Sequence, residues 1–235
     1  MTTIILIILG SYSLCVIALG LWANTKGKAT SEDYFIHGRS LPWVHLSVTF
    51  IATWMSTISF IALPGAMFEQ GITLYLVFGS FNIMVAFFMW FIGRKFWHMG
   101  RDRGYITPGD LLGDYYKSKA IQLLTGLIAA IGLFPYILVQ LIAIGKVIAF
   151  STEGLVSYES AVLLAGGVAG FYVISGGIRA IVWTDILQAT LFSLVVILGL
   201  YAVFSVIESV PKAFQASISK NPEAFTMRPD EIGKP

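Results

Sequence analysis

Hydroxyl groups crowd one apolar stretch of this chain. Ser47, Thr49, Thr53, Ser56, Thr57 and Ser59 occupy six of thirteen positions, and the stretch ends in Leu63-Pro64-Gly65. A lone Ser or Thr in an apolar helix returns its proton to a carbonyl one turn back and is ordinary. Six together admit two readings. Either the helix opens its backbone and offers carbonyl oxygens, which suit a hard cation, or it packs tightly through small residues. Asp185, in Trp183-Thr184-Asp185-Ile186-Leu187-Gln188, is the second candidate. A carboxylate one to two turns inside a membrane needs a partner, an ion or water. The competing role is to cap a helix start, where its charge favours the macrodipole. Gln140 is a third buried polar candidate, and Pro135 upstream predicts a kink in its helix.

The elements that must carry these residues are membrane helices. Of 235 residues 57% are hydrophobic and 12% charged, about half the charge of a soluble domain. A surface this apolar would expose large patches to water, so lipid is the solvent. The stretch 2–23 has no charge and is long enough to cross about 30 Å of hydrocarbon. Nothing positive precedes it, whereas Lys26 and Lys28 follow it, so it reads as a retained span and not as a cleaved signal. Five further apolar stretches follow at about 43–64, 73–92, 121–150, 158–174 and 178–207. Gly176-Gly177 predicts a tight turn between the last two, and 208–235 is a polar tail, extracellular or periplasmic.

Loop charge orients the spans. Lys26, Lys28, Arg39, Arg94, Lys95, Arg101, Arg103, Lys117, Lys119 and Arg179 all fall on one side. The opposite short loops carry only Lys146. The positive-inside rule then places the N-terminus outside a multi-pass protein of the plasma membrane. His37, His45 and His98 lie near the cytoplasmic loops and read as interface residues, with Trp43, Trp90 and Trp97 in the aromatic belt. The single Cys15 cannot form an internal disulfide. No nucleotide cradle, metal-ligand cluster or nucleophile triad is present in the sequence, and its basic residues form no stripe for nucleic acid. The reading is not an enzyme.

Three motifs resemble the sodium:solute symporters, carriers of sugars, proline, pantothenate, iodide and short carboxylates. Asp33-Tyr34-Phe35-Ile36-His37-Gly38-Arg39-Ser40-Leu41 resembles the family's first cytoplasmic loop. Phe50-Ile51-Ala52-Thr53 through Pro64-Gly65-Ala66 and Gly71 resembles its first core helix. Ser175-Gly176-Gly177-Ile178-Arg179-Ala180, running into Trp183-Thr184-Asp185-Ile186-Leu187-Gln188, resembles the start of its fifth. The resemblance implies a leucine-transporter-like fold, all-α and built from two inverted five-helix repeats. Six spans here would be one extra N-terminal helix plus the first repeat.

What the resemblance implies about sites is specific to positions. Backbone carbonyls of Ala52 and Met55, exposed where the helix is bent or opened near Ala52 to Ser56, would supply half of a sodium site, the other half coming from hydroxyls of an eighth core helix. Asp185 would serve a second sodium or the ion's exit path. Solute contacts would fall at Thr53, Trp54, Ser56 and Ser59 of the first core helix and at Gln140 of the third. Sugar carriers tend to place an asparagine and a glutamate where Trp54 and Phe78 stand, which favours a carboxylate such as a monocarboxylate, pantothenate or an amino acid. The expected partners are the lipid bilayer, a small solute and sodium as coupling ion without another cofactor, and a second chain or C-terminal half carrying the second repeat. The rival readings are a sensor module of a signalling protein on the same fold and an inactive truncated product.

Overall fold

The protein is described by a computed structural model covering residues 2–27, 30–56, 58–207 and 209–226. Lys28 of the first loop, Thr57 of the hydroxyl run, and Glu208, Arg228 and Lys234 of the tail lie outside the described residues. Among the described residues the secondary structure is entirely helical. Four helices are long and apolar enough to cross a membrane: Thr2–Thr25, Ile72–Arg103, Lys119–Ser151 and Tyr158–Val206. The chain is therefore an all-α, multi-pass membrane protein.

Helix α1 (Thr2–Thr25) has no charged residue, and Ile7 and Leu14 are 64% and 69% exposed. In water that surface would be unfavourable; in hydrocarbon it costs nothing, and the backbone bonds are satisfied within the helix. A short helix α2 (Ser31–Ile36) follows, capped by the Thr30 hydroxyl on the Asp33 amide. Next come α3 (Trp43–Trp54), a π-helical turn (Ile58–Ala62) and α4 (Leu63–Gln70). The stretch 43–64 is thus interrupted after Trp54, within the expected crossing. The next span is longer than 73–92: α5 (Ile72–Phe88) runs through a second π turn (Met89–Gly93) into α6 (Arg94–Arg103). Then α7 (Pro108–Tyr115), opened by a Thr107/Asp110 capping box, leads to α8 (Lys119–Ser151), which stays helical through Pro135.

Helix α9 (Tyr158–Val206) spans 49 residues and would measure roughly 74 Å if straight, over twice the hydrocarbon thickness. It is not straight. Gly177 sits at φ 55, ψ −148, a conformation that essentially only glycine adopts. Up to that residue the chain packs on the end of α1: Tyr172 sits on Gly20, and Gly176 lies against the Gly20 carbonyl and beside Ala23. Beyond it the register runs back, with Arg179 beside Gly27, Trp183 on Trp22 and Gln188 on Tyr12. The chain reverses at the expected Gly176-Gly177 turn. The two arms of α9 correspond to the stretches 158–174 and 178–207.

The reversal is held by α2. Tyr34 places its carbonyl where a Gly177 Cβ would stand, 2.7 Å away, and its hydroxyl donates to the carbonyls of Val173 (3.1 Å) and Ile174 (3.2 Å). Those are helix-end acceptors that the reversal leaves without helical partners. Arg179 donates Nη2 and Nε to the two oxygens of buried Asp33, at 2.6 and 3.1 Å. Removing one partner of a buried pair costs about 3–5 kcal/mol, so this fork fixes the turn strongly. Two of the motifs read separately in the sequence thus meet in space.

Contacts divide the chain into two compact units, 1–57 with 105–190 and 58–104 with 191–235. The first is centred on small side chains that let helices approach closely, with Val16, Ala23, Ala161, Ala180 and Val182 all buried. The second contains the stacked rings of Phe60 and Phe192, 4.7 Å apart. It also contains α10 (Val210–Lys220), capped by the Ser209 hydroxyl, so the tail is partly helical. At Gly71 (φ 74) a Cβ would stand 2.5 Å from the Ala224 carbonyl, which seats the 3₁₀ turn Pro222–Phe225 against the start of α5.

Candidate functional site

The site lies where α3 ends. Met55 has φ −81, ψ 84, and its amide is shared between the carbonyls of Ile51 (3.2 Å) and Ala52 (3.0 Å). The Ser56 amide turns back to Trp54 at 3.1 Å. The interruption expected between Ala52 and Ser56 is therefore present, at Met55–Ser56. Its detail differs from the expectation for Ala52, whose carbonyl accepts the amide three residues on and not four. That contact leaves one lone pair of the Ala52 oxygen for another ligand. The π turn that follows is a form common at functional sites.

The hydroxyls explain how α3 tolerates this. Ser47 donates to the Trp43 carbonyl and Thr53 to the Thr49 carbonyl, both at 2.9 Å. These protons are satisfied within the helix, while the oxygens keep acceptor capacity. Trp54 is exposed and tilted on Phe50 at 6.4 Å; Met55 and Ser56 are half-buried. Gln140 is half-buried in α8, five residues beyond Pro135, in the same unit as Thr53, Trp54 and Ser56. Ser59 belongs to the other unit, in the π turn.

Asp185 is eight residues past the reversal at Gly177, too far inside the arm to cap a helix start. The capping role is thereby removed. Its carboxylate faces the Thr49 side chain of α3. Neither Asp185 Oδ2 nor Thr49 Oγ1 has a hydrogen-bond partner, although both atoms are buried. The Thr49 hydroxyl faces the carboxylate as a donor without closing a bond of normal geometry, which leaves a buried carboxylate oxygen underbonded at a cost of about 1–3 kcal/mol or more. A hard monovalent cation, which takes oxygen ligands, satisfies both at once. Thr49 lies three residues before Ala52, about 4.5 Å along the helix. The orphaned pair and the opened backbone thus share one turn of α3.

Around this pair the packing is polar and aromatic. His45 meets Trp183 edge-on at 5.9 Å, and its Nδ1 is buried without a partner. Gln188 donates to the Tyr12 hydroxyl at 2.6 Å, tying the second arm of α9 to α1. Thr184, fully buried, returns its proton to the carbonyls of Ala180 and Ile181. Sequence reasoning read Thr49 only as part of a hydroxyl run and His45 as an interface residue. The contact of Thr49 with Asp185 joins positions 136 apart in the chain, and no local pattern reveals it.

The family model described as the Sodium:solute symporter family matches residues 34–232. The chain belongs to the sodium:solute symporter family. A sodium/pantothenate symporter of Haemophilus influenzae is 30% identical over 194 residues, covering 80% of this chain and 39% of that protein. The sodium/pantothenate symporter of Escherichia coli is 25% identical over 92% of this chain and 45% of its own length. A sodium/glucose cotransporter of Vibrio parahaemolyticus is 28% identical over 75% and 32%. The chain spans about two fifths of the length of these curated relatives. No solved structure matches it significantly. The α3 break, the Gly177 reversal and Asp185 all fall inside the family match.

Proposed function

We propose that this chain forms the first repeat, with one extra N-terminal helix, of a sodium-coupled secondary transporter of the plasma membrane. The observation that carries the reading is the facing pair of buried oxygens, Thr49 Oγ1 and Asp185 Oδ2, within two turns of the break at Met55. Six spans result when α3 with α4 counts as one interrupted crossing and α9 as two arms. The loop charges then put the N-terminus outside. Sodium is held by the Asp185 carboxylate and the Thr49 hydroxyl, with the carbonyls of Ala52 and Met55 forming half of a second position. The remaining ligands come from the second repeat, outside these 235 residues. Sodium bound there neutralises Asp185 and draws α3 toward the second arm of α9, coupling ion occupancy to the helix that carries the solute contacts.

The solute is a small organic carboxylate, contacted at Thr53, Trp54, Ser56, Ser59 and Gln140. Its support is the pair of pantothenate relatives and the bulky Trp54 and Phe78, which leave no acidic or amide group for sugar hydroxyls there. In vesicles with an inward sodium gradient, the chain together with its second repeat takes up pantothenate or a short carboxylate in preference to glucose. Uptake indifferent to the sodium gradient would overturn the coupling. Preference for glucose would overturn the solute class, and uptake by the 235-residue chain alone would overturn the two-repeat assembly.

A further inference from the structure

A cavity lies within the first unit, at the end of α1. It has a volume of about 340 Å³, and its walls include Trp22 and Lys26 of α1 and its following turn, His37, His45, Arg179 and Trp183. All six carry N–H groups, and no Asp or Glu contributes to the wall. The acids nearby are engaged elsewhere. Asp33 takes Nε and Nη2 of Arg179, and Glu32 pairs with Arg39 at 2.9 Å. Lys26 is exposed and makes no ion pair among the described residues. His45 Nδ1 is buried without a partner.

Position adds to the chemistry. Trp22 and Lys26 stand at the end of α1, a charge-free helix of 24 residues, so the cavity lies at one edge of the hydrocarbon whichever way the chain is oriented. Trp22 and Trp183 meet edge-on at 5.3 Å, amphipathic rings suited to that depth. A basic, donor-rich pocket between membrane helices at headgroup level matches a lipid phosphate. We propose that this cavity binds the phosphate of an anionic phospholipid. Lys26 supplies the charge, the His45 ring and the two indoles supply donors, and the acyl chains lie along exposed Leu21. The bound lipid would join α1, the loop before α3 and the second arm of α9. The site makes no use of the sodium reading and stands or falls separately from it.

The test is native mass spectrometry of the purified full chain, titrated in parallel with phosphatidylglycerol and phosphatidylcholine, with inorganic phosphate as a third arm. One phosphatidylglycerol should be retained per chain at least tenfold more tightly than phosphatidylcholine. Lys26→Gln, an exposed substitution, should weaken phosphatidylglycerol about fivefold and leave phosphatidylcholine unchanged. Equal retention of both lipids by the wild type, or equal losses for both in Lys26→Gln, would overturn the proposal. Inorganic phosphate competing at the same concentration as the lipid would overturn the lipid as the source of the phosphate. Competition only at far higher concentration would support it.

Discussion

Replacing Asp185 by Asn separates charge from shape at the candidate ion site. The amide fills the same volume and still offers an oxygen beside Thr49. What it removes is the full charge facing a bound sodium ion. At about 4 Å and an effective dielectric near 20, one unit charge contributes about 4 kcal/mol. The side chain is half-buried and the asparagine oxygen still ligates, so roughly half of that survives as a difference. About 2 kcal/mol corresponds to a rise of about thirtyfold in the sodium concentration for half-saturation. The assay is sodium titration of tryptophan fluorescence in lipid nanodiscs, with choline holding ionic strength constant. Trp183 is two residues from Asp185 and lies edge-on to His45, so it reports on the site. The same variant should be more stable than wild type without sodium, by about 1 kcal/mol, because an uncompensated carboxylate has gone. A mere packing role for Asp185 predicts the opposite sign. An unchanged sodium midpoint in Asp185→Asn would refute the reasoning.

Four further outcomes follow from the same structure. Thr49→Val should raise the sodium midpoint about fivefold, a smaller effect because only a neutral ligand is lost; the same titration measures it. Gly177→Ala should destabilise by about 2–4 kcal/mol, seen as a lowered Tm, since its backbone conformation is strained for alanine and the new methyl meets the Tyr34 carbonyl. Burial alone would raise the pKa of Asp110, but bonds from the Thr107 and Ile106 amides, the Gln122 side chain and the Thr107 hydroxyl hold it below the usual carboxylate value. Its capping contribution is therefore complete above about pH 4, the unfolded value, and is lost as pH falls through the lower folded value. Acid unfolding curves of wild type and Asp110→Asn should accordingly differ at neutral pH and converge in acid. Cysteines placed at Arg101 and Ser219 should differ in labelling by an impermeant reagent in intact cells, Ser219 reacting and Arg101 not.

Much of the architecture was legible because membrane helices are local objects. The charge-free run of α1 and the long apolar run of α8 follow from composition alone. The Gly176-Gly177 pair marked the reversal because few other residues accept φ 55 with ψ −148. The break in α3 was signalled by its hydroxyls, which satisfy themselves on carbonyls one turn back and lower the cost of interruption. Other features left no local trace. The fork from Arg179 to Asp33 joins residues 146 apart, and each reads alone as an ordinary loop charge. The facing of Thr49 and Asp185 depends on how α3 leans on the second arm of α9. The bounds of the helix Val210–Lys220 were not legible within the polar tail, although Ser209 followed by Pro211 is a start signal. The continuation of α5 into α6 runs through Arg94 and Lys95, charges that composition reads as the end of a span.

The central claim is that sodium occupies the oxygens gathered between α3 and the second arm of α9. Equilibrium binding of radioactive sodium to the chain purified together with its second repeat, by scintillation proximity in lipid nanodiscs, tests it without a transport step. The account predicts saturable binding displaced by unlabelled sodium and not by potassium or choline, and reduced about thirtyfold in affinity by Asp185→Asn. Saturable sodium binding that Asp185→Asn leaves unchanged, or no saturable binding by the wild type, would contradict it.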